Sequence, residues 1–257
     1  MATGRTVPKW WRVYADGYDL SGQARQIGPL QLEYEEADLT ALSDTVKGYL
    51  PNHATVNIGT LNAVFNNTAT TGIHTVLGTA GQVRTMLVAM GIQGAPAAGD
   101  PTFGGQFTQK AYTSENDGGA AVVSLPFSGW ASDAASLLFA SPYGQLLHAL
   151  GAETVANSAN SNLDNPTANA TNSGGYLIYH VTAGNGTATI SVDDSANNSA
   201  WLALSGATTG SINCAVRQSG MVAISPTATV RRYLRWQVAF GSANTVTFVL
   251  SFHRGFP

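Results

Sequence analysis

The chain is poor in charge, in cysteine and in clustered histidine, and each shortage removes a class of function. Only 11% of its 257 residues are charged, against about 25% in an ordinary globular protein. In a sequence rich in Gly, Ala, Ser, Thr and Asn, so little charge points to a surface partly covered by other subunits. The net charge of −3 is lopsided: residues 1–130 hold seven Lys or Arg against ten Asp or Glu, and residues 131–257 hold five of each. A domain that grips nucleic acid is basic, so sequence-specific DNA binding is not expected. With Cys214 the single cysteine, no intrachain disulfide forms and a buried thiol is expected. His53, His74, His148, His180 and His253 are dispersed with no pair at ligand spacing, so neither a metal site nor a cofactor is expected. Gly78-Thr79-Ala80-Gly81 lacks the Lys and Ser/Thr of a phosphate loop, and there is no Gly-x-Ser-x-Gly elbow or other nucleophile constellation. The expectation is therefore no catalytic residues and no enzyme. No segment reaches the ~18 apolar residues of a membrane span, and the first residues, with Pro8, Lys9, Trp10 and Trp11, lack the apolar core of a signal peptide. A soluble protein made in a cytoplasm, with no membrane partner, is expected.

What is present is β-pattern. Leu30, Leu32 and Tyr34 alternate with Gln31, Glu33 and Glu35, the period of two of a half-buried strand. Downstream, Val56 and Ile58 alternate with Thr55 and Asn57, and after Gly59 the apolar phase moves to Leu61, Ala63 and Phe65, which suggests a bulge at the glycine. Between these strands runs a long polar excursion, Glu35 to Pro51, containing Asp38, Thr40, Asp44, Lys47 and Tyr49. Loops of more than about 12–15 residues are uncommon in compact domains and tend to be functional or disordered.

One helix is predicted: Thr79 and Gln82 make a capping-box pair, Val83, Met86, Leu87 and Met90 share a face, and Gly91 is a stop. Gln106–Ser114 and Ala120–Gly129 read as strands joined through Asp117-Gly118, a strong hairpin signal. Ala134–Leu150 could form a second short helix around Leu137, Leu138 and Phe139, broken by Pro142, and Asn157–Ser173 has linker composition. Beyond it, Tyr176–Val181, Ala188–Val192, Trp201–Leu204, Ser211–Val216, Met221–Ile224, Leu234–Phe240 and Val246–Phe252 read as strands of an antiparallel sandwich. The expected organisation is a mainly β, β-rich α+β chain: an N-terminal domain with one packed helix over 1–135, a connecting segment over 136–173, and a β-sandwich over 174–257.

Two features of the second half have a binding reading beside a plainer one. Asp193-Asp194 with Asn197 and Asn198 could offer oxygens to calcium, but the spacing is not that of an EF-hand and a plain turn is favoured. Trp201, Tyr176 and Trp236 could form a sugar-stacking platform, the basis of an alternative reading as a carbohydrate-binding or adhesion module; aromatic strand residues are more often core.

The first half also resembles a family. Asp19-Leu20-Ser21-Gly22, then Glu36-Ala37-Asp38-Leu39-Thr40 with Lys47-Gly48-Tyr49-Leu50-Pro51, then Ala54-Thr55-Val56-Asn57-Ile58, a helix, and a closing hairpin with Gly104-Gly105 look like the major tail tube proteins of long-tailed bacteriophages. The second half is similar to sandwich domains that follow such tube domains. The resemblance implies a barrel-forming tube domain that joins its copies into stacked rings, with Asp38, Thr40, Asp44, Lys47, Tyr49 and Pro51 on a loop reaching the next ring. It also implies a virion location, assembly in a bacterial cytoplasm, and as partners further copies of the chain, a tape measure protein, tail terminator and tip proteins, and genomic DNA passing without sequence-specific contact. Glu33 and Glu35 would line the lumen, where negative charge repels phosphate. Six subunits per ring are expected if the sandwich decorates the outside, and three if it acts as a second tube-like unit.

Overall fold

The computed structural model describes residues 5–41, 45–130, 141–154, 163–164 and 172–255. After a 3-10 turn at Pro8–Trp10, the strands of the first half are β1 (Trp11–Ala15), β2 (Tyr18–Asp19), β3 (Ala24–Gly28), β4 (Gln31–Asp38), β5 (Tyr49–Asn57) and β6 (Thr60–Val64). A one-turn helix, α1 (Ile73–Leu77), precedes β7 (Val83–Met90), β8 (Pro101–Gln109), β9 (Thr113–Asp117) and β10 (Ala120–Trp130). The second half holds β11 (Tyr143–Glu153), β12 (Leu163–Asp164), β13 (Gly175–Gly184), β14 (Thr187–Ser195), β15 (Leu202–Asn213), β16 (Gln218–Ile224), β17 (Tyr233–Phe240) and β18 (Val246–Arg254). The chain is thus mainly β, and all the named strand pairs are antiparallel.

Three sheets result: twelve strands with the path β16-β13-β18-β11-β8-β10-β6-β3, four strands in the order β12-β17-β14-β15, and the pair β4-β5. The apolar residues segregate by strand parity. Val13, Ala15, Met86 and Val88 face a first core with Leu61, Val123, Leu125 and Phe107. From the same strands, Tyr14, Leu87 and Ala89 point the opposite way and meet Leu146, Ile178 and Val249 of β11, β13 and β18. Leu147, Leu177, Tyr179, Phe248 and Leu250, of opposite parity again, face the four-stranded sheet across a third core containing Ile190, Trp236 and Val238. The central strands β7, β11, β13 and β18 are therefore covered on both faces.

That double burial explains why the helix predicted over Val83–Met90 is absent. Met86-Leu87-Val88-Ala89-Met90 is strand, not helix, because odd and even residues each have an apolar layer to enter; a continuous apolar run carries no usable period. The capping-box residues serve otherwise: the Thr79 carbonyl accepts from Arg84 Nη2 at 2.9 Å, and the Gln82 carbonyl accepts the Gln109 amide at 2.9 Å. Tyr143–Leu150, beyond the break expected at Pro142, is the start of β11, with Leu146 and Leu147 buried in different layers; the short helix expected around Leu137, Leu138 and Phe139 lies outside the described residues. The stretch expected as a connector thus contributes a strand that pairs β8 and β18, and the large sheet runs through both halves. Trp201–Leu204 and Ser211–Val216, expected as two strands, are largely one long bent strand, β15. The hairpin at Asp117 forms as predicted, its two turn glycines at φ +59° and +90°, where a side chain would be strained.

Candidate functional site

The polar excursion is not a loop. β4 and β5 pair from Gln31↔Asn57 to Asp38↔Tyr49, so the strands extend through most of it and only residues 39–48 connect them. A register shift between Tyr34 and Glu36 leaves two residues of β5, 52 and 53, opposite the single Glu35, a bulge that adds local twist. Eight residues of β4 span about 24 Å at ~3.4 Å per residue.

The root of this arm is built tightly. Gly28 and Gly59 form a bridge, and Gly59 sits at φ +65° with the Gly28 backbone where any Cβ would be, 2.3 Å away. Only glycine fits there. The Phe127 amide donates to the Gly59 carbonyl at 2.9 Å, the Tyr143 hydroxyl donates to the Leu30 carbonyl at 2.7 Å, and Val56 and Ile58 are buried in the first core. Leu30 and Leu32 pack partly against that core, but Tyr34, expected to follow them inward, is 45% exposed because the strand has by then left the body.

Beyond the root the arm is a two-stranded sheet with no third strand on either side among the described residues. Such a ribbon is marginal in water on its own, and its free N–H and C=O groups are a template for another chain. Its outer part also exposes Leu39, Val46, Tyr49 and Leu50, from 48% for Tyr49 to 78% for Val46. Glu33, Glu35, Glu36 and Asp38 are exposed along it.

The residues singled out in the sequence fall into distinct roles here. Asp38 and Thr40 brace the connection: Asp38 Oδ1 accepts the Thr40 amide at 2.9 Å and its hydroxyl at 2.5 Å, while Thr40 Oγ1 accepts the Gly48 amide at 3.2 Å. The Thr40 hydroxyl, then its amide, hold the Asp38 carboxyl below its usual range. Lys47 and Tyr49 are exposed, the backbone of Pro51 stands opposite Glu36, and Asp44 lies outside the described residues. Glu33 and Glu35 share a face of β4, and Glu33 accepts a 2.6 Å hydrogen bond from Gln31. The apolar tip, Leu39, Val46 and Leu50, went unremarked in the sequence reading although three unplaced apolar residues in a polar segment are a readable signal.

The sandwich offers no stacking platform. Tyr176 and Trp236 are sealed in the interior, Trp236 edge-on to His148 at 4.5 Å, and Trp201 is covered by the Arg235 guanidinium 4.6 Å from its ring. The plainer expectation, core aromatics, describes the first two. Asp193 and Asp194 lie within β14 rather than in a turn, and both are occupied by arginine. Asp193 Oδ2 accepts Arg235 Nε at 3.0 Å and Nη2 at 2.8 Å together with the Gln237 amide, and Asp194 accepts Arg231 through its side chain and its backbone N–H, each at 2.8 Å. Among the described residues no three His, Cys, Asp or Glu gather to hold a metal ion, and no helix is long and apolar enough to cross a membrane.

No protein-family model matches the chain, and no curated protein matches it. Among solved structures, the Dit protein of phage SPP1, described as a paradigm of the hub adsorption apparatus in phages that infect Gram-positive bacteria, superposes with a TM-score of 0.32 and 11% identity over 96% of this chain and 99% of that one.

Proposed function

We propose that the chain is a structural subunit of a bacteriophage tail, which joins copies of itself into rings stacked as the tail tube. One observation carries the reading. In a fold whose sheets pack around three cores, the β4-β5 arm leaves its own body with both edges unpaired among the described residues and an apolar tip in water. A second chain is what completes such a ribbon. The tail assignment adds the resemblance of the ordered segments around Asp19–Gly22, Glu36–Thr40 and Lys47–Ile58 to tail tube proteins; the helix once counted in that set is strand β7, so the set is shorter by one piece.

In this role the chain does no chemistry. Asp38, Thr40, Lys47, Tyr49 and Pro51 sit in the part of the arm that contacts the next copy. The rings contain six copies, with three as the alternative if both halves contribute to the tube wall. A tape measure protein and the genome occupy the lumen, and terminator and tip proteins close the ends. Negative-stain images of the purified full chain test this: rings or tubes with an axial channel are expected, and a variant lacking residues 40–50 should be folded and monomeric. Full-length tubes from the deletion variant, or a wild-type chain that stays monomeric at every concentration, would overturn it.

A further inference from the structure

Between β1 and the free edge of β3 the surface opens into a groove of about 600 Å³, lined by Lys9, Trp11, Arg12, Arg25, Gln26 and Ile27 among others. β3 pairs β6 on one side and, among the described residues, no strand on the other. Three of the chain's twelve basic residues line this one groove. Arg25 has a partner in Asp117 at 2.8 Å, but that pair is half exposed on both sides and holds the arginine weakly.

We propose that this groove is the acceptor for the β4-β5 arm of a neighbouring copy, with β4 adding as a strand along the free edge of β3. The proposal rests on the self-assembly reading above and names the surface that reading leaves open. Charge complementarity carries it. Glu33, Glu35, Glu36 and Asp38 lie along β4, and none forms an ion pair among the described residues. The groove places Lys9, Arg12 and Arg25 beside an edge with no strand to pair it. The apolar walls supplied by Trp11 and Ile27 suit the apolar residues that accompany the acids on the arm. A strand so added satisfies backbone groups on both partners and takes its specificity from the side chains.

β3 runs into β4 through Pro29 and Leu30, so the arm and the groove of one molecule share a root, and in this assembly the arm serves another molecule's groove. Donor and acceptor are different surfaces. Repeated head to tail, contacts of that kind give rings or filaments, the form the self-assembly reading requires.

The test compares full-length chains, each checked for an unchanged thermal transition. Arg12→Glu with Arg25→Glu should raise the concentration at which assemblies appear by about tenfold or more, as should Glu33→Lys with Glu35→Lys and Glu36→Lys. Combining all five changes in one chain should restore much of the loss, an outcome that misfolding does not produce. Assembly of the Arg12→Glu, Arg25→Glu variant at the wild-type concentration would overturn the groove while leaving self-assembly standing, and so would a combined variant no better than its parents. If that groove variant assembles normally but loses retention on heparin, the groove serves a polyanion and the proposal fails. A wild-type chain that never assembles would instead sink the underlying reading.

Discussion

Acidification from about pH 7.5 to about pH 5 should cost the fold about 4 kcal/mol through two buried histidines, His180 and His253. Both lie in the doubly covered strands. His180 Nδ1 accepts the Gly17 amide at 3.2 Å while its Nε2 has no partner, and His253 Nε2 meets the Ser251 hydroxyl at 3.0 Å. Burial pushes His180 down to about 3 and His253 down to about 4, from an ordinary value of about 6.5. Both rings are therefore neutral in the folded chain, and on acidification the unfolded chain binds protons first. The stability they allow is complete above about pH 6.5 and falls as the pH drops toward the folded values. By pH 5 each histidine accounts for about 2 kcal/mol. His148, lowered by burial against the pull of Glu153, adds in the same direction. Urea unfolding of dilute protein, followed by tryptophan fluorescence at both pH values, measures the difference. In a His180→Gln, His253→Gln variant, whose amides still hydrogen bond but do not titrate, the pH difference should shrink by about 4 kcal/mol. An equal loss in the variant, or a wild-type stability flat over this range, would refute the reasoning.

Other perturbations have equally definite outcomes. Gly59→Ala places a Cβ into the Gly28 backbone at a positive φ; it should cost about 1–3 kcal/mol in a thermal melt and loosen the root of the arm before the sandwich. Arg235→Met leaves the Asp193 carboxylate nearly buried without its bidentate partner and should destabilise by about 3 kcal/mol in denaturant titration. Phe248→Ala removes a fully buried ring stacked 4.1 Å from His148 and should cost about 3–5 kcal/mol. Thr40→Ala should return the Asp38 carboxyl toward its ordinary range, since the Thr40 hydroxyl is the main cause of its depression; carbon-detected NMR titration reads this directly.

The sequence was most legible where one face of a strand meets solvent. Leu234, Trp236 and Val238 are buried and Arg235 and Gln237 only partly so, and β17 lies where the alternation puts it. It misled where both faces are covered: β7 shows no period of two and reads as helix, since nothing polar marks either side. α1 is five residues long, too short for a helical period to show. The arm was recognised as exceptional, but its pairing was under-read, because a ribbon exposed on both faces has no core side to pattern. Lys9, Arg12 and Arg25 are scattered along the chain, and only the approach of β1 and β3 gathers them.

Hydrogen exchange of the backbone amides in Gln31–Asp38 and Tyr49–Asn57, compared between dilute and assembled protein, bears most directly on the unpaired arm. The outward-facing amides should exchange freely in the dilute chain and become protected on assembly, while those already paired between β4 and β5 change far less. Equal protection of both sets in both states would mean that no other copy ever pairs with the arm.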